Sequence, residues 1–116
     1  MIIDEKKLLK DIIDSIASID EHLEYRRVFE EFLANKTKRR AVERELEIIG
    51  EATTRLLKIN PNIKISFAKI IIAVRNKVIH AYDSVDNEII WKIVVKDIPV
   101  LREEVKNLLG GSIESV

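Results

Sequence analysis

Between Arg75 and Tyr82 the chain reads RNKVIHAY, and two of these side chains, Arg75 and His80, form a pair suited to phosphodiester chemistry. Arg75 carries a permanent charge and can donate two parallel hydrogen bonds to phosphate oxygens. The His80 imidazole can take or give a proton near neutral pH. Asn76 precedes His80 by four residues, so the two are neighbours on one face of a helix. Arg75 and Tyr82 are seven apart and nearly eclipse each other. The directions of Arg75 and His80 differ by about 140° on an ideal helix, yet a long arginine near a helix end can still converge with the imidazole on one phosphate. A substrate bearing its own nucleophile, as RNA does in its 2′-hydroxyl, would need only a base, an acid and a charge stabiliser. A plainer reading fits the same spacing: Arg75 paired with a surface carboxylate and His80 capping its helix. On spacing alone, that plainer reading is favoured.

Composition removes other chemistries. There is no cysteine, hence no thiolate nucleophile, disulfide framework or cysteine zinc site. No Gly-rich phosphate loop and no pair of metal-binding histidines occurs, so neither a cofactor nor a metal is expected. His80, Asp83 and Asp86 make a poor metal set, because the two aspartates are better explained by a turn and a helix N-cap. The other histidine, His22, sits near a helix end and reads as structural or exposed. No apolar run approaches a membrane span, and MIIDEKKLL is not a secretory leader, so a cytoplasmic location is expected. The formal net charge is zero, which argues against a general nucleic-acid coat protein. Lys36, Lys38, Arg39, Arg40 and Arg44 do cluster, but Glu43 and Glu45 dilute them. Such a run reads as a solvated helix face.

The elements that must position RNKVIHAY are helices. The chain has 116 residues, of which 47% are hydrophobic and 34% charged, enough for one domain with a single modest core. Apolar residues recur at three and four, with no sustained alternation. Leu8, Leu9, Ile12, Ile13, Ile16 and Ile19 mark a first helix from Asp4, its N-cap, to about Leu23. A short helix follows around Val28–Ala34, ended by Asn35. The third runs from about Thr37 to Asn60, where Gly50 would let a neighbouring helix approach closely. Asn60-Pro61-Asn62 breaks the chain. Ser66 caps a fourth helix reaching Ala81, Tyr82-Asp83-Ser84 turns, and Asp86 caps a fifth from Asn87 to about Leu109. Pro99 should kink that fifth helix or replace one of its backbone hydrogen bonds. Gly110-Gly111 should stop it. The expected architecture is all-α, an up-and-down bundle of four long helices and one short one over residues 1–109, with 110–116 a frayed tail.

Three blocks in order carry a family resemblance: ELEIIGEATTRL (Glu45 to Leu56), RNKVIHAYDSVD (Arg75 to Asp86) and EIIWKIVVKDIPVLREEV (Glu88 to Val105). Arginine, a polar residue, then histidine near a helix end resembles the signature of the HEPN superfamily. The longer form ending in Tyr82 resembles the HepT-like toxins, although Ala81 and Phe67 stand where many relatives carry glycine and tryptophan. The resemblance implies a homodimer with its two motifs facing across a cleft, acting as a metal-independent endoribonuclease on RNA. It implies that Arg75 holds and stabilises the phosphate, that His80 is acid or base, and that Asn76 orients the site. It also implies a type VII-like toxin–antitoxin pairing with a minimal nucleotidyltransferase antitoxin of the MntA kind, which silences the toxin by attaching AMP to Tyr82. The rival reading is a non-catalytic helical module that shapes the substrate of that nucleotidyltransferase.

Overall fold

Apolar side chains spaced alternately three and four residues apart dictate the frame. The computed structural model describes residues 3–66 and 87–114. Its helices are α1 (Ile3–His22), α2 (Phe29–Ala34), α3 (Lys36–Ile59), α4 (Asn87–Lys92) and α5 (Ile98–Glu114), with a π-helical turn over Ile93–Asp97 joining the last two. No strand occurs among the described residues, so the protein is an all-α helical bundle. In α1, Leu9, Ile12, Ile16 and Ile19 are buried, and Leu23 just beyond its end continues the series. In α3 the matching set is Val42, Leu46, Ile49, Thr53 and Leu56. Both series run at the alternating three-four spacing of a narrow seam between two helices.

The two long helices run antiparallel. His22 at the end of α1 meets Glu45 near the start of α3 at 2.9 Å, while Asp4 and Lys7 share a surface depression with Arg55, Lys58 and Ile59. Gly50 is buried in α3, whose main packing partner is α1, in keeping with a position where a side chain would hold the helices apart. The Thr53 hydroxyl, fully buried, donates to the Ile49 carbonyl at 2.8 Å, so no polar group is left unpaired there. Ile90, Ile93, Val94, Ile98, Leu101 and Val105 supply the third wall of the core.

The turns follow from local chemistry. Asn35 ends α2 through its N–H to Phe32 and starts α3 through its side chain, which accepts the Lys38 N–H at 3.0 Å. Between α1 and α2, Glu24 and Tyr25 both adopt positive φ, at 55° and 59°. This left-handed pair is uncommon outside glycine and asparagine. It is held by the Tyr25 N–H on the Asp20 carbonyl, by Arg26 doubly bonded to Glu31, and by Arg27 on Asp20. The Arg26 guanidinium holds the Glu31 carboxyl below its ordinary range.

Several expectations are corrected or fall elsewhere. Asp4 lies inside the first turn of α1, where its carboxylate still favours the helix N-terminus. The expected stop at Gly110-Gly111 is wrong: α5 continues to Glu114. No described glycine has a positive φ, so Gly110 does not form the left-handed cap on which that expectation rested. Of the two expectations for Pro99, altered backbone hydrogen bonding is the one seen: just upstream lies the π turn, where the Ile98 N–H reaches back to the Ile93 carbonyl. The expected fourth helix from Ser66, the turn at Tyr82-Asp83-Ser84 and the cap at Asp86 lie outside the described residues.

The basic cluster is largely spent on structure. Lys38 approaches Glu24 at 3.9 Å, Arg39 donates to the Leu33 carbonyl, and Arg44 faces Glu47 at 3.5 Å. Burial pushes the neighbouring Glu43 carboxyl up, against the opposing pull of Arg40 and Arg39.

Leu56→Ala should lower unfolding free energy by about 2–5 kcal/mol, whereas Asn35→Ala should cost about 1 kcal/mol, both read from denaturant titration. A raised folded-state pKa at Glu43 means that its contribution is full below the ordinary value of 4.5 and is lost as pH rises through the folded value. Glu43→Gln should therefore be more stable than wild type at pH 7, by less than about 1 kcal/mol given its partial exposure. The difference should vanish in acid.

Candidate functional site

The segment that carries Arg75, Asn76, His80 and Tyr82 is fastened on both sides by chemistry the structure describes. After α3, the Asn60 N–H closes on the Leu56 carbonyl at 2.8 Å, and Pro61 prevents the helix from continuing. The Asn60 side chain then accepts the Asn62 N–H at 3.2 Å, and its carbonyl accepts the Ile63 N–H at 3.1 Å. These bonds make a compact turn. Ile65 is buried, so the chain is pinned by an apolar side chain one residue before Ser66.

Ser66 is then held by α5. The Glu104 carboxylate accepts the Ser66 N–H at 3.0 and 3.2 Å and also accepts the Ser66 hydroxyl. A charged acceptor makes these among the stronger hydrogen bonds available to a surface site. The sequence offered Ser66 as a helix cap; the structure adds that its hydroxyl is engaged by a carboxylate 38 residues away. Glu104 was not singled out by sequence reasoning, and nothing in its neighbourhood along the chain marks it.

On the far side, the chain resumes at Asn87 in α4. Ile90 is buried, and Trp91 packs on Phe29 and Phe32 with ring centroids 5.9 and 5.1 Å apart. The seventeen-residue interval from Asn87 to Glu104 corresponds to roughly 25 Å of helix. The two anchors of the candidate segment therefore sit at well-separated levels of the same helical wall.

Arg75, Asn76, His80 and Tyr82 themselves lie outside the described residues, as do Asp83 and Asp86. Among the described residues, no group of three or more His, Asp or Glu side chains is placed to hold a metal ion. No helix among them is long and apolar enough to cross a membrane. His22, the other histidine, is committed to Glu45.

Comparison with known proteins places these features in a family. Residues 12–108 match the family described as Ribonuclease HepT-like, a span that includes both anchors and the whole of RNKVIHAY. A Methanocaldococcus jannaschii protein named as a candidate RNase is 36% identical, with 89% of this chain and 94% of that protein covered. The "Probable ribonuclease HepT" of Thermococcus cleftensis is 38% identical over the same shares, 89% and 94%. A candidate RNase of Caldanaerobacter subterraneus subsp. tengcongensis is 41% identical over 70% of this chain and 73% of its own length. No solved structure matches the chain. With the family match covering most of the sequence, and its relatives aligned over nearly their full lengths, the chain belongs to the HepT-like ribonuclease family.

Proposed function

We propose that this HepT-like ribonuclease is the toxin of a type VII-like toxin–antitoxin pair and cleaves RNA without a metal, through Arg75, Asn76 and His80. The observation that carries the reading is the family match over residues 12–108, within which all of these positions fall. The chemistry is complete with side chains alone. A neutral imidazole removes the proton of the ribose 2′-hydroxyl, and the resulting oxygen attacks the adjacent phosphorus. The bond from phosphorus to the 5′-oxygen breaks, and a protonated imidazole supplies the proton that this leaving oxygen needs. Arg75 neutralises the charge that builds on the non-bridging oxygens, and Asn76 orients the groups. In a homodimer the two His80 side chains, one neutral and one protonated, fill both roles. The products are a 2′,3′-cyclic phosphate and a free 5′-hydroxyl.

Regulation is assigned to Tyr82. Its phenolic oxygen accepts an AMP unit from ATP with loss of pyrophosphate, catalysed by a separately encoded minimal nucleotidyltransferase of the MntA kind. An added phosphate beside Arg75 would occupy the donors that hold RNA, which gives the modification a direct route to inhibition.

Purified protein should cleave RNA in the presence of a chelator, with a bell-shaped pH dependence and cyclic-phosphate ends. His80→Ala and Arg75→Ala should each lower the rate by about 10²–10⁴-fold. A strict metal requirement, or activity unchanged in His80→Ala, would refute the mechanism. RNA left intact by wild type would return the protein to the rival role of a non-catalytic module. Incubation with the nucleotidyltransferase and ATP should add AMP to Tyr82, as read by peptide mass spectrometry. Tyr25, the other of the two tyrosines, is 74% exposed and serves as the internal control. Modification of Tyr25 instead, or none in wild type, would count against this regulation.

A further inference from the structure

A second surface has the chemistry of nucleic acid. Phe29 of α2 and Trp91 of α4 form the floor of a groove of about 420 Å³, completed by Val95 and by Glu88, Lys92 and Lys96 along its sides. The volume lies in the range of pockets that accept small organic ligands. The π turn shapes it. Pro99 has no N–H, and its ring would press on the carbonyl of the preceding turn, so the helix widens over Ile93–Asp97. Ile93, Val94 and Ile98 keep their places in the core, and the extra residue is accommodated on the outer side, where Val95 and Lys96 are exposed. Such insertions are frequent at functional sites.

We propose that this groove binds single-stranded RNA, one base lying against the Trp91–Phe29 floor and the neighbouring phosphates meeting Lys92 and Lys96. Every base has a face that can stack on an aromatic ring, and an adjacent cationic edge tracks the backbone. The two lysines line the same groove from either end of the first turn of the π segment, so a strand crossing the aromatic floor can meet both. Neither lysine appears in the ion pairs that tie down Arg26, Arg27, Lys38 and Arg44. The groove rests on and extends the proposed ribonuclease reading: it would hold substrate on the same helical wall to which the motif-bearing segment is anchored.

Trp91 is the single tryptophan of the chain, so its fluorescence reports on this groove alone. The probe is a 2′-O-methyl oligonucleotide, which has no free 2′-hydroxyl and cannot be cut by the proposed chemistry. Titration into wild type should quench Trp91 saturably. The double variant Lys92→Ala with Lys96→Ala should bind about tenfold more weakly, and its salt slope should fall by about 1.4. Both lysines are exposed, so this variant should keep wild-type helicity and melting. Absence of quenching, or an unchanged affinity in the double variant, would overturn the groove. So would an altered oligomer mass with unaltered RNA affinity, which would make this face a protein interface. Cleavage of unmodified RNA is scored separately: wild type that cuts RNA without Trp91 quenching defeats the groove alone. Quenching with the lysine dependence supports the groove whether or not the RNA is cut.

Discussion

The packing of Trp91 on Phe29 and Phe32 is the contact on which the arrangement depends. A six-residue helix such as α2 has too few hydrogen bonds to persist on propensity alone. Its two phenylalanines give it a tertiary reason to exist, since tilted ring pairs contribute about 0.5–1.5 kcal/mol beyond the area they bury. The same contact ties α2 to the last helical wall, which also packs directly on α1. It also fixes the chain where it emerges from the segment bearing Arg75 and His80. Loss of the stack would therefore loosen a short helix and one anchor of the candidate site together.

Pro99 imposes the complementary constraint. A proline within a helix removes a donor and crowds the carbonyl a turn before it. A kink would have displaced Leu101 and Val105, both wholly buried, from the core. Ile93 and Val94 within the π turn and Ile98 and Leu101 beyond it are all buried. The solvent side of the turn is formed by Val95 and Lys96, which are exposed. Burial of at least four large side chains outweighs a local irregularity in hydrogen bonding.

What could be read from the sequence divides along physical lines. The stripes at Leu9–Ile19 and Val42–Leu56 were legible because periodic burial is a property of residues close in the chain. Asn35 was legible as a boundary for the same reason, although its dual role as stop and start needed coordinates. Gly110 misled because a glycine can terminate a helix or simply remain in it, and the choice depends on packing farther away. The sequence pointed to Ser66 but not to Glu104, since a hydrogen bond spanning 38 residues leaves no local trace. For the candidate site the balance is reversed. Arg75, Asn76, His80 and Tyr82 are candidates named from residue type and family resemblance, while the structure contributes the anchors on either side of them.

The neutral charge of the chain shapes how such a protein could hold RNA at all. Its formal net charge is zero, and several cations are committed locally: Arg26 to Glu31, Arg27 to Asp20, Arg44 to Glu47. A strong basic field that attracts any polyanion from a distance is thus not available from these groups. Under the proposed function, affinity must be assembled from a few short-range contacts, an arginine–histidine motif at one place and an aromatic floor with two lysines at another. Non-specific binding through phosphates alone is weak when few are neutralised. A strand would then be retained only where it satisfies both places at once, so selectivity would come from geometry instead of from charge.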